Sequence, residues 1–466
     1  MTEFTAVFTT GIYCRPGCTG NPLPRNTQPF AYAAAAEAAG FRPCLRCRPD
    51  REVQPAWIDA PELVCRALRC IADGALDGAT EDDLAARLGV SARHLRRLFD
   101  EHVGATPSEV ARSRRAHFAR RLLDETDLPV AQVGFAAGFT SVRQMNRVMK
   151  EVFRFTPQQL RDKRRLPDRL VTDGGLELRL PYQLPFAFDA LLAFLAPRAI
   201  PGVESVDPDA GIYRRVVELG GAPGVIEVWN TPADRALRLR AHLPTFDAIV
   251  HLVTSVRRLF DLDADPVAID TALRRDPAVR PLVKARPGLR VPGAVDPFEI
   301  GVRAILGQQI TVKGASTLTG RIVAAFGDPV PGLEPLGLTH LFPSPATLAD
   351  ADLGDIGLTR ARARAVGGFA EAVASGKIDL TMGPGLDETV AALSALPGIG
   401  AWTAQYIAMR AAGERDAFLA ADLVLRRALG PDPAGRAERW RPWRAYGVLH
   451  VWTEETNKST ARRIAG

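Results

Sequence analysis

Apolar and polar positions change their spacing along this chain, and each change marks a different kind of element. In "TEDDLAARLGV", apolar Leu84, Ala85 and Leu88 fall on one helical face. Thr80 stands as N-cap with Asp83 three residues on, and Gly89 ends the helix before "SARHLRRLF" restarts at Ser91. The same grammar returns further on: "VAQVGFAAGF" breaks near Gly138, and "TSVRQMNRVMKEVF" restarts at Thr140 or Ser141. The two stretches echo each other at an offset of 50, Ser91 with Ser141, Arg97 with Arg147, Glu101 with Glu151, Thr106-Pro107 with Thr156-Pro157, and Val110 with Leu160. Helix, glycine turn and capped second helix form the helix-turn-helix pattern, and two copies at one offset are far more specific than one.

A charged segment with a proline near its end, "RDKRRLPDR", closes this region. From about Thr172 to Arg286 the spacing falls to two residues in "LELRLPY", "YRRVVEL", "VIEVWN" and "LRLRAHL", which read as strands. "PFAFDALLAFLA" and "FDAIVHLVTSVRRLFDL" read as helices, so the stretch predicts a small α+β domain. Beyond Pro292 the chain turns helical, with "DPFEIGVRAILGQQITVKGASTLTGRIVAAFG" as one long amphipathic region, followed by "LPGIGAWTAQYIAMRA".

With 466 residues the chain exceeds one core, since domains run to about 150 residues each. Its net charge of +6 leans toward a polyanionic partner, and the bias is carried mostly by arginine, which suits bidentate phosphate contact. No apolar run is long or uninterrupted enough to span a bilayer, and no hydrophobic segment follows a basic start. A cytoplasmic, nucleoid-associated protein without membrane contact is expected. In that setting the six cysteines are ligands or core residues rather than disulfides.

Four of them form two close pairs, Cys14 with Cys18 in "GIYCRPGC" and Cys44 with Cys47 in "FRPCLRC". Such spacing lets each pair aim its sulfurs at one tetrahedral zinc ion, and a module this small would depend on the metal for its fold. Cys65 and Cys70 lie outside the pattern and read as core thiols. Spacing alone fits a purely structural site. "FTAVFTTGIYCRPGC" and "AAGFRPCLRCRPD", however, resemble the N-terminal domain of the Ada adaptive-response regulators, over roughly the first fifty residues. The resemblance implies one zinc on four cysteines, with the thiolate at Cys14 accepting the methyl of a DNA methylphosphotriester. That family carries a longer lead before the motif than this chain does.

The tandem repeat resembles the AraC-type DNA-binding domain, whose two units share a connecting helix and read adjacent major-groove segments. Its recognition faces would include Arg93, His94 and Arg96, then Arg143, Gln144 and Asn146, residue types suited to guanine, adenine or phosphate. Arg112, Arg114 and Arg115 on the linking stretch are expected to be solvated.

"LPGIG" reads as a helix end, a tight turn and a new helix, in which Gly398 and Gly400 let the backbone approach a DNA phosphate. About twenty residues later "AFLAADLVLRRALG" sets Asp422 in apolar surroundings, where an aspartate alone could simply cap a helix. Together they resemble the helix-hairpin-helix glycosylases, and more closely the AlkA-type 3-methyladenine DNA glycosylases, from about Leu176 to Trp452. The resemblance implies Asp422 as the catalytic carboxylate and Trp402, Tyr406 and Trp452 as the base pocket. It also implies a monofunctional enzyme of the DNA-3-methyladenine glycosylase II type, because Trp402 stands where bifunctional relatives carry lysine. Two positions depart from it: Leu423 replaces an aromatic, and Gln309 matches the apolar wedge.

The expected architecture is multidomain and mainly α: a zinc domain over 1–52, a double helix-turn-helix over 57–165, an α+β domain over 172–286 and a helical glycosylase domain over 287–466. The expected function is a transcriptional activator, working with RNA polymerase on operator DNA, fused to a repair enzyme that excises alkylated purines from double-stranded DNA. The alternative is a DNA-binding regulator whose glycosylase-like half is inactive. A methylguanine methyltransferase domain is not expected, because "PCH" is absent.

Overall fold

The computed structural model describes residues 4–20, 22–52, 60–165, 169–170, 175–354, 356–380 and 385–465, with side chains up to 458. The expected domain start at Trp57, the hinge proline Pro167 and the boundary at Thr172 lie outside the described residues. Two compact units emerge, one of 1–181, 219–224 and 236–254, the other of 182–218, 225–235 and 255–466. The stretch expected as an α+β domain contributes to both.

The chain begins with β1 (Phe4–Val7), β2 (Ile12–Cys14), β3 (Thr27–Phe30), α1 (Ala33–Ala38) and β4 (Arg42–Pro43). These strands form a four-stranded sheet ordered β3-β1-β2-β4, with β1 antiparallel to β2 and β3, and β2 parallel to β4. Its core is Phe4, Ala6, Tyr13, Ala33, Ala36 and Phe41, too small to hold a fold in water unaided.

Seven helices follow: α2 (Glu62–Ala72), α3 (Glu81–Arg87), α4 (Ala92–His102), α5 (Pro107–Glu125), α6 (Val130–Ala136), α7 (Val142–Phe153) and α8 (Pro157–Asp162). The offset-50 echo is an echo of helix caps. Ser91 and Ser141 accept from the backbone N–H three residues on, starting α4 and α7. Thr106 and Thr156 do the same for α5 and α8, each with proline in the first turn and a reciprocal capping box from Glu109 or Gln159. Gly89 and Gly138 make the turns with φ of +72° and +80°. Helix α5 is buried on most of its surface, packing against α1, α2, α6, α7 and α8. Cys65 and Cys70 are buried on α2, as expected of core thiols.

Beyond lie β5 (Leu176–Pro181), α9 (Phe188–Leu195), β6 (Glu204–Asp207), β7 (Ile212–Leu219), β8 (Ala222–Thr231), β9 (Ala236–His242) and α10 (Ile249–Leu259). In the first unit β5 runs antiparallel to β9, Leu176 opposite Ala241, and the alternating pattern buries Leu178, Leu180, Leu237 and Leu239. In the second, β6 pairs antiparallel with β7, Glu204 opposite Arg215. Strand β6 had no period-two signal, because only four residues, none large and apolar but Val206, compose it.

The remaining chain is helical: α11 (Pro266–Leu273), α12 (Arg280–Ala285), α13 (Pro297–Leu306), α14 (Val312–Phe326), α15 (Pro345–Asp350), α16 (Arg360–Ala374), α17 (Leu386–Ser394), α18 (Ala401–Arg410), α19 (Leu423–Leu429), α20 (Pro433–Ala437) and α21 (Arg444–Ala465). The amphipathic region expected to run from Asp296 onward is therefore broken into α13 and α14. Gln309 takes a left-handed φ of +58° between them, and the Thr311 hydroxyl caps α14 by accepting from the Gly314 N–H.

Candidate functional site

Three arrangements carry chemistry. In the first unit, Cys14 ends β2 and Cys44 follows β4, and the parallel pairing of these strands sets the two side by side. Tight turns then bring round their partners, Cys18 N–H reaching the Arg15 carbonyl at 3.3 Å and Arg48 N–H the Cys44 carbonyl at 3.1 Å. The four Sγ atoms lie within 4.8 Å of one another, half-buried. A tetrahedral zinc with bonds of ~2.3 Å needs such a thiolate set and no further ligand, so the donor set fits one zinc ion.

The cysteine module is tied to α5 by buried charge. Arg48 is held by Asp50 and Asp124, and Asp124 also pairs with Arg120 at 2.9 Å. Beside them one Glu37 oxygen accepts from the Tyr13 hydroxyl at 2.7 Å and lies 2.7 Å from His117 Nε2.

On the helix-turn-helix units, Arg93 and Arg143 are exposed on α4 and α7, as their expected role requires. Others are engaged locally. Arg96 pairs with Glu81, His94 Nδ1 lies 3.1 Å from Arg97, Gln144 accepts from Thr140, and Asn146 donates to the Val142 carbonyl at 2.9 Å. Arg97 and Arg147, one turn beyond Arg93 and Arg143, are exposed in both units and belong to the same face. The echo already paired them in the sequence. The expectation for Arg114 and Arg115 is corrected: both are largely buried and clamp Asp77, at 3.2 and 2.6 Å, because α5 is enclosed rather than solvent-facing.

The second unit holds a cavity of about 590 Å³. Asp422 sits at its wall and also caps α19. Its Oδ1 accepts from the Val424 and Leu425 N–H groups, both at 3.0 Å, and from Trp452 Nε1 at 3.1 Å. Its Oδ2 accepts from Trp402 Nε1 at 3.0 Å. Four N–H donors thus fix the carboxylate, which is 9% exposed. Trp402 stacks on Tyr406 with centroids 5.2 Å apart and planes at 12°, and Trp452 lies 6.2 Å from Tyr406. The residues implied by resemblance as pocket and carboxylate are brought together.

At the hairpin, Gly398 and Gly400 differ in role. Gly398 has φ of +85°, and a Cβ there would stand 2.7 Å from the Ala365 Cβ, so the fold itself requires it. Gly400 N-caps α18 with ordinary φ and nothing within 4 Å of a Cβ, leaving open space before the helix N–H groups. Gln308 Nε2 ties the hairpin to the α13–α14 turn, donating to the Gly398 carbonyl and Thr403 hydroxyl at 2.9 and 3.0 Å. At that turn Gln309 is exposed, as are Ile310 and Val312, and Leu423 is 64% exposed beside Asp422. No described helix is long and apolar enough to cross a membrane.

Comparison with known proteins runs parallel to this geometry. Family models match in series: "Metal binding domain of Ada" over 2–50, "Helix-turn-helix domain" over 84–163, "AlkA N-terminal domain" over 177–296, and "HhH-GPD superfamily base excision DNA repair protein" over 302–432. The chain is 43% identical to a "Probable bifunctional transcriptional activator/DNA repair enzyme AlkA" of Mycobacterium tuberculosis, over 96% of this chain and 92% of that one. It is 37% identical to the "DNA-3-methyladenine glycosylase 2" of Escherichia coli, over 59% of this chain and 96% of the relative. The "Bifunctional transcriptional activator/DNA repair enzyme Ada" of the same organism is 34% identical over 49% and 59%. With near-complete coverage of a 43% identical relative and four modules in one order, the chain belongs to the family of AlkA-type bifunctional transcriptional activators and DNA repair enzymes.

Proposed function

We propose that this protein excises alkylated purines from DNA at Asp422 and transfers the methyl of DNA methylphosphotriesters to Cys14, the second reaction arming the helix-turn-helix units as an activator. The observation that carries the reading is Asp422, held by two indole N–H groups in an aromatic cavity. A nucleotide extruded from the stack would place its sugar at this carboxylate and its base along Trp402, Tyr406 and Trp452. As the bond from C1′ to the base breaks, its electron pair leaves with the base. Asp422 stabilises the oxocarbenium-like sugar and takes a proton from the water that attacks C1′. Among the described residues no lysine lines the cavity, which supports hydrolysis without strand cleavage.

At the other end, Cys14, Cys18, Cys44 and Cys47 would hold the zinc ion, which when bound would keep their sulfurs in the thiolate form. The Cys14 sulfur bonds the methyl carbon, the methyl–oxygen bond breaks, and a phosphodiester anion leaves. The cluster loses one negative charge, which weakens its repulsion of DNA and favours operator binding. Arg93, Arg97, Arg143 and Arg147 are the side chains best placed to meet DNA, and RNA polymerase is the partner expected of an activator.

The test is release of base from methylated duplex DNA, read as abasic sites, with Asp422→Asn beside wild type. Loss of release by about 100-fold or more is expected, as for other groups that stabilise developing charge. Release that survives the substitution, or is missing from wild type, removes the glycosylase reading. Incubation with methylphosphotriester DNA should add one methyl to Cys14 by mass spectrometry, and an unmodified Cys14 leaves that module a structural zinc site.

A further inference from the structure

The turn between α13 and α14 holds a strained backbone at an exposed place. Gln309 takes φ of +58°, a left-handed conformation that is costly for a residue with a side chain and persists only where the surroundings fix it. The residue before it supplies the fixing. Gln308 Nε2 donates to the Gly398 carbonyl at 2.9 Å and to the Thr403 hydroxyl at 3.0 Å, and the Gln308 carbonyl accepts from Arg362 Nη2 at 2.7 Å. Gly398 belongs to the hairpin before α18, Thr403 to the first turn of α18, and Arg362 to the first turn of α16. A third contact closes the figure. Arg362 and Ala365 are three residues apart and share a face of α16, and Ala365 is the residue that a Cβ at Gly398 would strike. Turn, hairpin and α16 each touch the other two, so none of them shifts without breaking a contact to both.

This brace stands at the Asp422 cavity. Gly307, Ile310, Thr311 and Val312 line the cavity, yet Ile310 is 37% and Val312 40% exposed, so the turn lies where the cavity meets solvent. Gln309 is exposed at the same place. A nucleotide drawn into the cavity leaves a gap in the base stack, and the lost stacking opposes that step. A side chain offsets the loss only if it meets the gap while the strand is held, and misplacement by about 1 Å forfeits most of such an effect. The brace sets two distances together: from Gln309 to the cavity, and from Gln309 to the hairpin, where the α18 N–H groups stand open to a phosphate. Neither catalysis at Asp422 nor stacking on the aromatic wall calls for Gln308 or Arg362.

We propose that Gln308 and Arg362 are positioning residues that lock the α13–α14 turn to the hairpin, so that Gln309 enters the duplex at the gap left by the extruded nucleotide. The inference rests on the glycosylase reading above and deepens it from the reaction to the extrusion step.

The test uses the full-length protein and single-turnover base release from two DNAs, one with 7-methylguanine paired in a duplex, the other with the same base in a one-nucleotide bulge. A bulged nucleotide has no partner and leaves no gap to fill. In Arg362→Met and in Gln308→Leu the ratio of paired to bulged release should fall about tenfold or more. Arg362→Lys, which restores a donor without the fork, should recover part of it. A brace that only supports the fold would lower both rates alike, so an unchanged ratio overturns the proposal. Should these variants not fold by circular dichroism, Gln309→Ala decides, because it removes the exposed tip and leaves the brace standing: the same tenfold fall is expected, and an unchanged ratio overturns the proposal. Release by wild type with unchanged ratios in the variants sinks this inference alone. No release from either DNA, nor from methylated duplex in the assay above, sinks the glycosylase reading beneath it.

Discussion

His450 on α21 is fully buried, and neither ring nitrogen has a hydrogen-bond partner. Burial, with Arg286 and Arg274 adding to it, lowers its proton affinity to a value about 4. The unfolded chain would bind that proton near pH 6.5. Protonation therefore favours unfolding: the contribution of His450 to stability is whole above about pH 6.5 and is lost as pH falls toward 4. Between pH 7.5 and pH 5 the loss is about 2 kcal/mol, from 1.36 kcal/mol per unit. His450→Leu should remove it, so urea unfolding of the variant should fall about 2 kcal/mol less between those pH values than wild type. Equal losses would show that His450 finds a proton partner in the folded state. At this scale the sequence was uneven. Asp422 was singled out by the resemblance to AlkA-type glycosylases, since the local sequence by itself said no more than that it could cap a helix, which it does. The arginines that line the same cavity, Arg198, Arg303 and Arg410, were not, since Arg198 comes from a different segment and Arg410 reads as the polar end of an apolar helix.

Elements were legible where local chemistry sets them. Every strand with period-two spacing formed, and the offset-50 repeat survives as matched caps, because a capped helix start depends on four neighbouring residues. The break between α13 and α14 was hidden, since an apolar stripe runs through both and the left-handed position of the turn falls on Gln309, while Gly307, which caps α13, keeps an ordinary φ. The hairpin glycines give this scale its prediction. Gly398→Ala must hold a left-handed backbone and push against Ala365, which should cost about 2–3 kcal/mol. Gly400→Ala has room and ordinary φ and gives up only the N-cap preference for glycine, so it should cost about 1 kcal/mol or less. Its added methyl would nonetheless stand before the α18 N–H groups and weaken binding to abasic-site DNA. Thermal melts and a binding titration separate the two. A Gly400→Ala protein that melts early, or binds as wild type does, contradicts the assignment of fold to one glycine and phosphate to the other.

For the whole molecule, the issue is how far loss of one metal spreads. The cysteine module's core, Phe4, Ala6 and Tyr13 of the sheet against Ala33, Ala36 and Phe41, is small, so zinc, worth about 10–16 kcal/mol in small metal domains, is its main stabiliser. Helix α5 shares that dependence, because Arg48 and Glu37 from the cysteine module hold Asp124 and His117 in its buried face. Leaving such charges without partners costs about 3–5 kcal/mol. The Asp422 cavity, by contrast, takes every lining residue from the second unit. A strong chelator should therefore lower the melting temperature of the first unit and abolish operator binding, while Asp422-dependent base release continues at close to its full rate. Calorimetry with and without chelator, alongside both assays, checks this. Operator binding that persists in metal-free protein would mean that α5 stands without the cysteine module, and that the buried ion pairs contribute little. Loss of base release as well would mean that the second unit needs the first to fold, so that zinc governs the enzyme as well as the regulator.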